Sequence, residues 1–190
     1  IGLSASGVDT LILIFPYHCQ RGRTYNRETL MMDYSRDPET PSIKITRPDA
    51  SDWPAILTVL ESANFHHIGG PEMKTFPLED CFIALVRGEV KGVSGYRILS
   101  DRVAKTTLLA VAPSARQLGL GSRLQDARLA YMRSKGVQTV HTNTDDPKVI
   151  AWLERRYGFR RTGRTIPKVA DFGDPATKEW TCMRMDFEDN

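Results

Sequence analysis

The chain has 190 residues and is mildly basic, with a net charge of +3 and a pI near 8.8. This length fits one domain, or one domain with an appendage, and the apolar fraction of 41% is enough to bury a core. So small a net charge argues against a nucleic-acid partner. Five arginines gather between residues 155 and 164, which is typical of a solvated helix end. The longest apolar run, residues 10–15, is too short to span a membrane.

Cysteine usage favours a reducing compartment. Cys19, Cys81 and Cys182 are far apart and odd in number, so neither a zinc spacing nor a disulfide framework is present. The run at residues 10–15 also has no positively charged segment before it, unlike a signal peptide. We therefore expect a cytoplasmic protein.

Residues 1–41 are expected to form an N-terminal arm and a linker. The apolar run at residues 11–15 predicts one strand, and the stretch RDPETP at residues 36–41 is typical of a linker. Because one strand is too little to fold alone, we expect the arm to pack on the main domain or on a partner. The chain begins with Ile1, which is consistent with a fragment of a longer polypeptide. Residues 42–190 form the main domain in this prediction.

Regular elements begin after the linker. A short alternating strand at residues 42–48 precedes a helix at 49–64, which opens with cap-type Asp and Ser residues. Residues 65–77 follow as a loop or broken helix. A hairpin then joins strands at 81–86 and 90–99 through Arg87, Gly88 and Glu89, and a further strand ends at Pro113.

The second half alternates helices and strands. A helix with Leu120, Leu124 and Tyr131 on one face ends near Gly136, and a strand at residues 137–144 follows. The remaining elements are a helix at 147–158 and strands at 159–163 and 179–187. The strand–helix–strand order implies a parallel crossover, whereas the hairpin implies antiparallel pairs. The prediction is an α/β fold with a mixed sheet.

The stretch VAPSARQLGLGSRL, residues 111–124, places two glycines where a helix begins. A helix N-terminus presents unpaired N–H groups, and Gly119 and Gly121 remove the side chains that would keep a phosphate away. Arg116 can add a charged contact. The stretch lacks the lysine of a P-loop and the third glycine of a dinucleotide fingerprint. A tight turn that serves helix packing is the structural alternative.

In its context, this stretch resembles the acetyl-CoA-binding motif of the GCN5-related N-acetyltransferase (GNAT) family. The pattern is an apolar strand, V-x-P, [QR]-x-x-G-x-[GA] and a helix, which Val111, Pro113, Arg116, Gly119 and Gly121 match. The order of elements over the last 145 residues or so is also similar. The resemblance implies a mixed, mostly antiparallel sheet with a central splayed parallel pair, flanked by helices.

The resemblance also implies that acetyl-CoA is the co-substrate, with no metal. Pantetheine would pair with the backbone of the splayed strand at Leu109 and Val111. The pyrophosphate would be held by Arg116 and by the backbone amides of Gln117, Leu118, Gly119, Leu120, Gly121 and Ser122. Transfer to an amine would be direct, with the carbonyl polarised by a backbone N–H.

A second family motif departs from its usual pattern. The usual asparagine falls on Asp146, and Asn143 lies just upstream; we assign both to the cofactor side. The usual tyrosine, which protonates the CoA thiolate, falls on Leu153. Tyr157, one helical turn later, is the substitute candidate for this acid. The alternatives are a packed tyrosine and a thiolate left to solvent, since its pKa is ~8.5.

Candidate residues on the acceptor side are histidines and one tyrosine. His141 matches a position where relatives carry a glutamate base, and a neutral imidazole suits that task; a structural histidine is the alternative. Alternation places Asn143 on the same side of the strand. His66, His67 and Tyr96 are candidates for lining the acceptor site. Tyr96 can equally be a packed aromatic.

The predicted function is transfer of an acetyl group from acetyl-CoA to an amine, on a small molecule, a peptide or a protein. The alternative is a non-catalytic CoA-binding sensor or scaffold module of a longer polypeptide. Neither nucleic acid nor a membrane is an expected partner. A homodimer is expected because many relatives dimerise.

Overall fold

The computed structural model describes residues 12–13, 41–63, 77–168 and 176–188. The elements in these ranges follow the predicted order. They are β1 (Ile12–Leu13), β2 (Ile43–Thr46), α1 (Trp53–Ser62), β3 (Cys81–Val86), β4 (Glu89–Ser100), β5 (Val103–Val111), α2 (Leu120–Ser134), β6 (Thr139–Thr144), α3 (Pro147–Tyr157), β7 (Arg160–Pro167) and β8 (Glu179–Asp186). The broken helix or loop predicted at residues 65–77 lies almost wholly outside the described residues.

One mixed sheet organises the domain. Its strand order is β2-β3-β4-β5-β6-β8-β7, and β1 pairs with β5 off this path. Along the path only β5 and β6 are parallel, and the other neighbours are antiparallel. The predicted fold class is therefore confirmed, including its central parallel pair.

The parallel pair opens after three residues. Val103–Val111 and Thr139–Thr144 pair only from Val103 with Thr139 to Lys105 with His141. Beyond that point the two strands separate, and we call the gap between them the splay. The strand β1 runs parallel to β5 here, with Ile12 opposite Leu108 and Leu13 opposite Leu109, and it also lies against β6.

A β-bulge in β5 lies at the start of the splay. Gly95 pairs with Leu108 and Tyr96 with Thr106, so Thr107 is an extra residue on β5. The extra residue shifts the alternation of side chains. As a result Ala104 and Leu109 share one core cluster, whereas Leu108 faces the other.

Helices cover the two faces of the sheet, and each face has its own core. Residues of α2 and α3 pack on one face, with Leu124, Met132 and Leu153 among the buried residues. The other face carries α1 through Ile56 and Leu60. No helix in the described parts of the chain is long and apolar enough to cross a membrane.

Local sequence signals explain where the helices begin and end. Asp49 forms a capping box with Asp52 ahead of α1. Asp146 caps α3 by accepting a hydrogen bond from the Lys148 amide at 2.8 Å, and Gly158 ends that helix with a φ of +70°. The Asp146 cap thus starts α3 directly after the end of β6, one of the two strands that border the splay.

Candidate functional site

The glycine loop, residues 116–122, connects the splayed strand β5 to α2. After Val111 the chain makes a 3-10 turn at Pro113–Ala115. Gln117 then adopts a left-handed conformation with φ +74°, and Gly119 does so with φ +70°. Left-handed residues turn successive backbone N–H groups toward one concave surface, which is a geometry that binds anions. The sequence did not indicate the conformation of Gln117, because only glycine signals a positive φ reliably.

The first turn of α2 is open to an anion. Gly119 is the N-cap, so no side chain caps the helix, and the first turn carries no acidic residue. A Cβ atom added to Gly119 would meet nothing within 4 Å. The space around Gly119 at the positive end of the helix dipole is therefore open, which is compatible with the pyrophosphate expected from the family resemblance.

The splay leads from this loop into the sheet. Leu109 and Val111 are buried residues of the α2–α3 core, 0% and 4% exposed, so a ligand in the splay would meet their backbone and not their side chains. Val111 pairs with Gly92 of β4 on one side. Leu109 pairs with Ser94 on that side and with Leu13 of β1 on the other.

His141 lies where the two parallel strands separate. It is half-buried, and it pairs with Lys105 of β5 and with Arg184 of β8. Burial lowers the pKa of His141, and the positive charges of Arg184 and Lys105 lower it further against the opposing effect of Asp186. The imidazole is therefore neutral at pH 7 and can accept a proton.

Asn143 lies two residues beyond His141, on the same side of β6 by alternation. Its side chain is 5% exposed, and its Nδ2 atom has no hydrogen-bond partner within the described part of the chain. A buried amide without a partner is costly and calls for an explanation, such as a ligand in the splay. Asp146, the other residue assigned to the cofactor side, is the N-cap of α3.

The hydroxyl of Tyr157, the predicted acid, takes part in hydrogen bonds with α2 and with Arg156. Its hydroxyl donates to Asp126 Oδ1 at 2.9 Å, accepts from Arg156 Nε at 3.1 Å and lies 3.3 Å from the Ser122 carbonyl. Burial and the nearby Asp126 carboxylate raise the pKa of Tyr157. The side chain thus ties α3 to the first two turns of α2. Leu153, at the family's usual tyrosine position, is fully buried in the core.

Tyr96 also belongs to the core. It is 3% exposed, and its hydroxyl accepts a hydrogen bond from Arg47 Nη1 at 2.9 Å. The Arg47 guanidinium also stacks on Phe82 and Tyr131, 3.9 and 4.1 Å from their ring centroids. This packing is compatible with the alternative interpretation of Tyr96 as a packed aromatic, and it lies on the face opposite α1. His66 and His67 lie outside the described residues.

A buried ion pair at the end of β6 was not predicted. Lys168 Nζ lies 2.7 Å from Asp145 Oδ2, with the two side chains 4% and 3% exposed. Lys168 also donates to Thr177 Oγ1 and lies 4.8 Å from the ring centroid of Trp180. The pair ties the ends of β6, β7 and β8 together. Neighbouring Asp145 and Asp146 look alike in sequence, and only the fold separates the buried one from the cap.

Arg128 is a second buried cation that the sequence did not reveal. Its side chain is 0% exposed, and Nη1 donates to the carbonyls of Gly95 at 2.8 Å and Leu108 at 2.6 Å. Burial lowers the pKa of Arg128 to about 9, so it remains charged at pH 7. Arg128 therefore holds the backbones of both β4 and β5 beside the Thr107 bulge, where the splay begins.

Comparisons with known proteins agree with this geometry. The model of the acetyltransferase (GNAT) family matches residues 49–159. No curated protein sequence matches the chain.

In the described residues, no group of three or more His, Cys, Asp or Glu side chains could hold a metal ion.

Solved structures share the fold at low sequence identity. Ard1 from Thermoplasma volcanium has a TM-score of 0.62 and 19% identity, covering 77% of this chain and 99% of its own. The ribosomal-protein-S18-alanine N-acetyltransferase from Escherichia coli has a TM-score of 0.59 and 18% identity, covering 76% and 93%. A putative acetyltransferase from Salmonella typhimurium, yncA, solved with acetyl-CoA, has a TM-score of 0.59 and 17% identity, covering 78% and 95%.

The family model spans more than half of the chain, and it includes the glycine loop, the splayed strands and α3. The chain belongs to the GNAT family of acetyltransferases.

Proposed function

We propose that this protein transfers an acetyl group from acetyl-CoA directly to an amine of an acceptor. The observation that carries the proposal is the uncapped N-terminus of α2 at left-handed Gly119, which directly follows the splayed strand β5. In this arrangement the glycine loop holds the pyrophosphate, and the backbone of β5 at Leu109 and Val111 faces the pantetheine. Membership of the GNAT family supports acetyl-CoA as the donor.

His141 is the candidate general base. An amine acceptor is largely protonated at neutral pH, with a pKa of ~10.4 for lysine or ~7.7–8.0 for an amino terminus. It must lose a proton before it can attack a thioester. The lowered pKa of His141 keeps the imidazole in the form that accepts this proton.

Asn143 is the candidate donor to the bound substrate. Its Nδ2 atom, which has no hydrogen-bond partner among the described residues, lies on the same strand as His141, close to the point where β5 and β6 separate. A carbonyl of the pantetheine or of the acetyl group would satisfy this amide. We expect such a hydrogen bond to position acetyl-CoA. A hydrogen bond between two neutral groups stabilises a complex most when neither buried group has another partner.

In this proposal neither Leu153 nor Tyr157 supplies an acid for the departing thiolate. Leu153 is apolar, and the hydroxyl of Tyr157 is already bonded to Asp126. A CoA thiolate has an ordinary thiol pKa of ~8.5, so it can take its proton from solvent. The reaction therefore runs without a dedicated acid in this proposal.

The same observation favours a second candidate function, a CoA-binding module without turnover. A sensor needs the glycine loop and the splay but no acid, and it would tolerate Leu153. Thiol release from acetyl-CoA separates the two functions when it is measured with amines of different classes: amino acids, polyamines, aminoglycosides and peptides. Release that depends on an amine supports the transferase. CoA binding without release on any amine supports the module, and failure to bind CoA contradicts both.

A further inference from the structure

The splay already holds an extended segment of this same chain. Ile12 and Leu13 of β1 run parallel to β5 opposite Leu108 and Leu109, and β1 also lies against β6. These two residues come from the apolar run at residues 10–15, far from the domain in sequence. The strand β1 thus occupies the gap that separates β5 from β6.

Only one extended chain can pair with this edge of β5 at a time. Each residue of a strand presents one N–H and one C=O group, and on alternate residues these groups point to the same neighbour. Strands lie about 4.8 Å apart, so the place next to Leu109 is filled when Leu13 is there. The other edge of β5 is paired with β4 along its length.

The proposed function needs the same place for a ligand. If pantetheine lies along β5 at Leu109 and Val111, it overlaps β1 at Leu109. The described pairs of β1 reach Leu109, which lies before the glycine loop in the chain, so these pairs leave the loop uncovered. A CoA molecule could therefore approach with its pyrophosphate end while β1 is still in the splay.

We propose that β1 is an internal competitor of acetyl-CoA, which must leave the splay before pantetheine can pair with β5. This inference rests on the proposed function, because it requires CoA to bind in the splay. Its consequence is that the apparent affinity for CoA is lower than the intrinsic affinity by the fraction of molecules in which β1 has left. Any interaction that draws residues 1–41 away would raise the affinity.

The test uses the full chain and CoA as the probe. The double variant Ile12→Pro and Leu13→Pro removes two backbone N–H groups and cannot continue a strand. The control variant is Leu30→Pro, which introduces proline into the same N-terminal segment outside β1. Isothermal titration with CoA gives the dissociation constant of each form, and thermal unfolding verifies that each is folded.

The three dissociation constants distinguish the outcomes. We expect the double variant to bind CoA about tenfold more tightly than the wild type, as it would if β1 had left the splay in only about one wild-type molecule in ten. Leu30→Pro should have the same dissociation constant as the wild type. Equal dissociation constants in all three forms would overturn the competition and leave the proposed function intact. If no form binds CoA, the proposed function fails together with the inference.

A measurement on the unsubstituted protein covers the case in which the proline variant does not fold. Amide hydrogen exchange follows Ile12 and Leu13 with and without saturating CoA. We expect their amides to exchange faster when CoA is bound, while those of Leu109 and Val111 stay protected by the new partner. Protection of Ile12 and Leu13 that does not change at saturation would contradict the displacement.

Discussion

The hydroxyl of Tyr157 donates a hydrogen bond to Asp126 Oδ1 at 2.9 Å, which joins the last turn of α3 to the second turn of α2. We propose that Tyr157 acts mainly through this bond, as a structural residue. Tyr157→Phe should reduce the free energy of unfolding by about 1 kcal/mol, the usual net value of one hydrogen bond. It should change kcat for acetyl transfer less than about twofold, since general acid catalysis is worth roughly 10²-fold or more. Thermal unfolding and steady-state kinetics measure the two effects.

A loss of kcat by about 10²-fold in Tyr157→Phe, with stability unchanged, would restore Tyr157 as the acid. Asp126→Asn serves as the matched control because it weakens the same bond from the other side. In our account both variants have a lower free energy of unfolding, and neither has a substantially lower kcat.

With His141 as the proposed base, its protonation sets the pH dependence of the reaction. Because burial, Arg184 and Lys105 lower its pKa, the imidazole stays neutral until the pH falls below the ordinary value of ~6.5. Wild-type kcat/KM should therefore decline only in acid below that pH. In His141→Gln we expect a loss of about 10²-fold at pH 7 and a smaller loss near pH 9, where more of the amine is already deprotonated. A pH–rate profile identical to that of the wild type would remove His141 from the mechanism.

The same pKa shift has a consequence for stability. Since the folded pKa of His141 lies below the unfolded value, the unfolded chain binds more protons in the window between the two values. The contribution of His141 to stability is therefore present above pH ~6.5 and is lost as the pH falls through the folded pKa. Denaturant unfolding from pH 7 to pH 5 should show a shallower decline in His141→Gln than in the wild type.

In the proposed site, Gly119 leaves room for a phosphate beside the α2 amides. Gly119 and Gly163 have φ values of +70° and +78°, and an added Cβ would meet nothing within 4 Å at either. Alanine at either position should cost about 1 kcal/mol of stability through the left-handed backbone alone. Only Gly119→Ala should also raise the dissociation constant for CoA, by about tenfold, because its Cβ stands before the helix N-terminus. Equal effects of the two variants on CoA binding would contradict the assignment of the loop.

Asn143 separates ligand binding from stability. The Nδ2 atom of Asn143 is buried without a partner among the described residues. Asn143→Leu replaces this unsatisfied donor with an apolar side chain of similar size. The free energy of unfolding should stay the same or rise by up to about 1 kcal/mol, while KM for acetyl-CoA rises several-fold. Chemical denaturation and initial-rate kinetics test the two parts. A destabilised variant with unchanged KM would show that Asn143 has a structural partner instead.

The buried pair of Asp145 and Lys168 should matter much more for stability than the surface pairs. Asp145→Asn leaves the Lys168 ammonium buried without its carboxylate, which typically costs about 3–5 kcal/mol. Asp186→Asn, which breaks partly exposed pairs with Arg160 and Arg184, should cost less than about 1 kcal/mol. Urea unfolding of the two variants compares the costs directly. Similar losses of unfolding free energy in the two variants would mean that the buried pair stabilises the protein no more than the surface pairs do.

The sequence predicted the elements of the main domain well because local signals mark them. Apolar periodicity located α2 and α3, and Pro147 and Gly158 marked the ends of α3. The strand predicted at residues 159–163 was too short, since β7 continues to Pro167. Gly163 predicts the end of the strand, but it lies at a register shift between Arg161 and Thr165. The strand continues past this irregularity.

The remaining differences arise from contacts between residues distant in sequence. The pairing of Leu13 with Leu109 leaves no local pattern, because any apolar strand can join an open edge. The partners of Tyr96 and Tyr157 depend on how α2 packs against its neighbours. The glycine loop was predictable because its requirement is local: bare amides at a helix start.

The most direct test of the central claim is a titration of the isotopically labelled protein with CoA, followed by amide NMR shifts. We expect the largest changes at Leu118, Gly119, Leu120, Gly121 and Ser122, with further changes at Leu109 and Val111 along the splay. Saturable binding with those amides unmoved, or shifts confined to another surface, would contradict the claim that the start of α2 and the splay form the acetyl-CoA site.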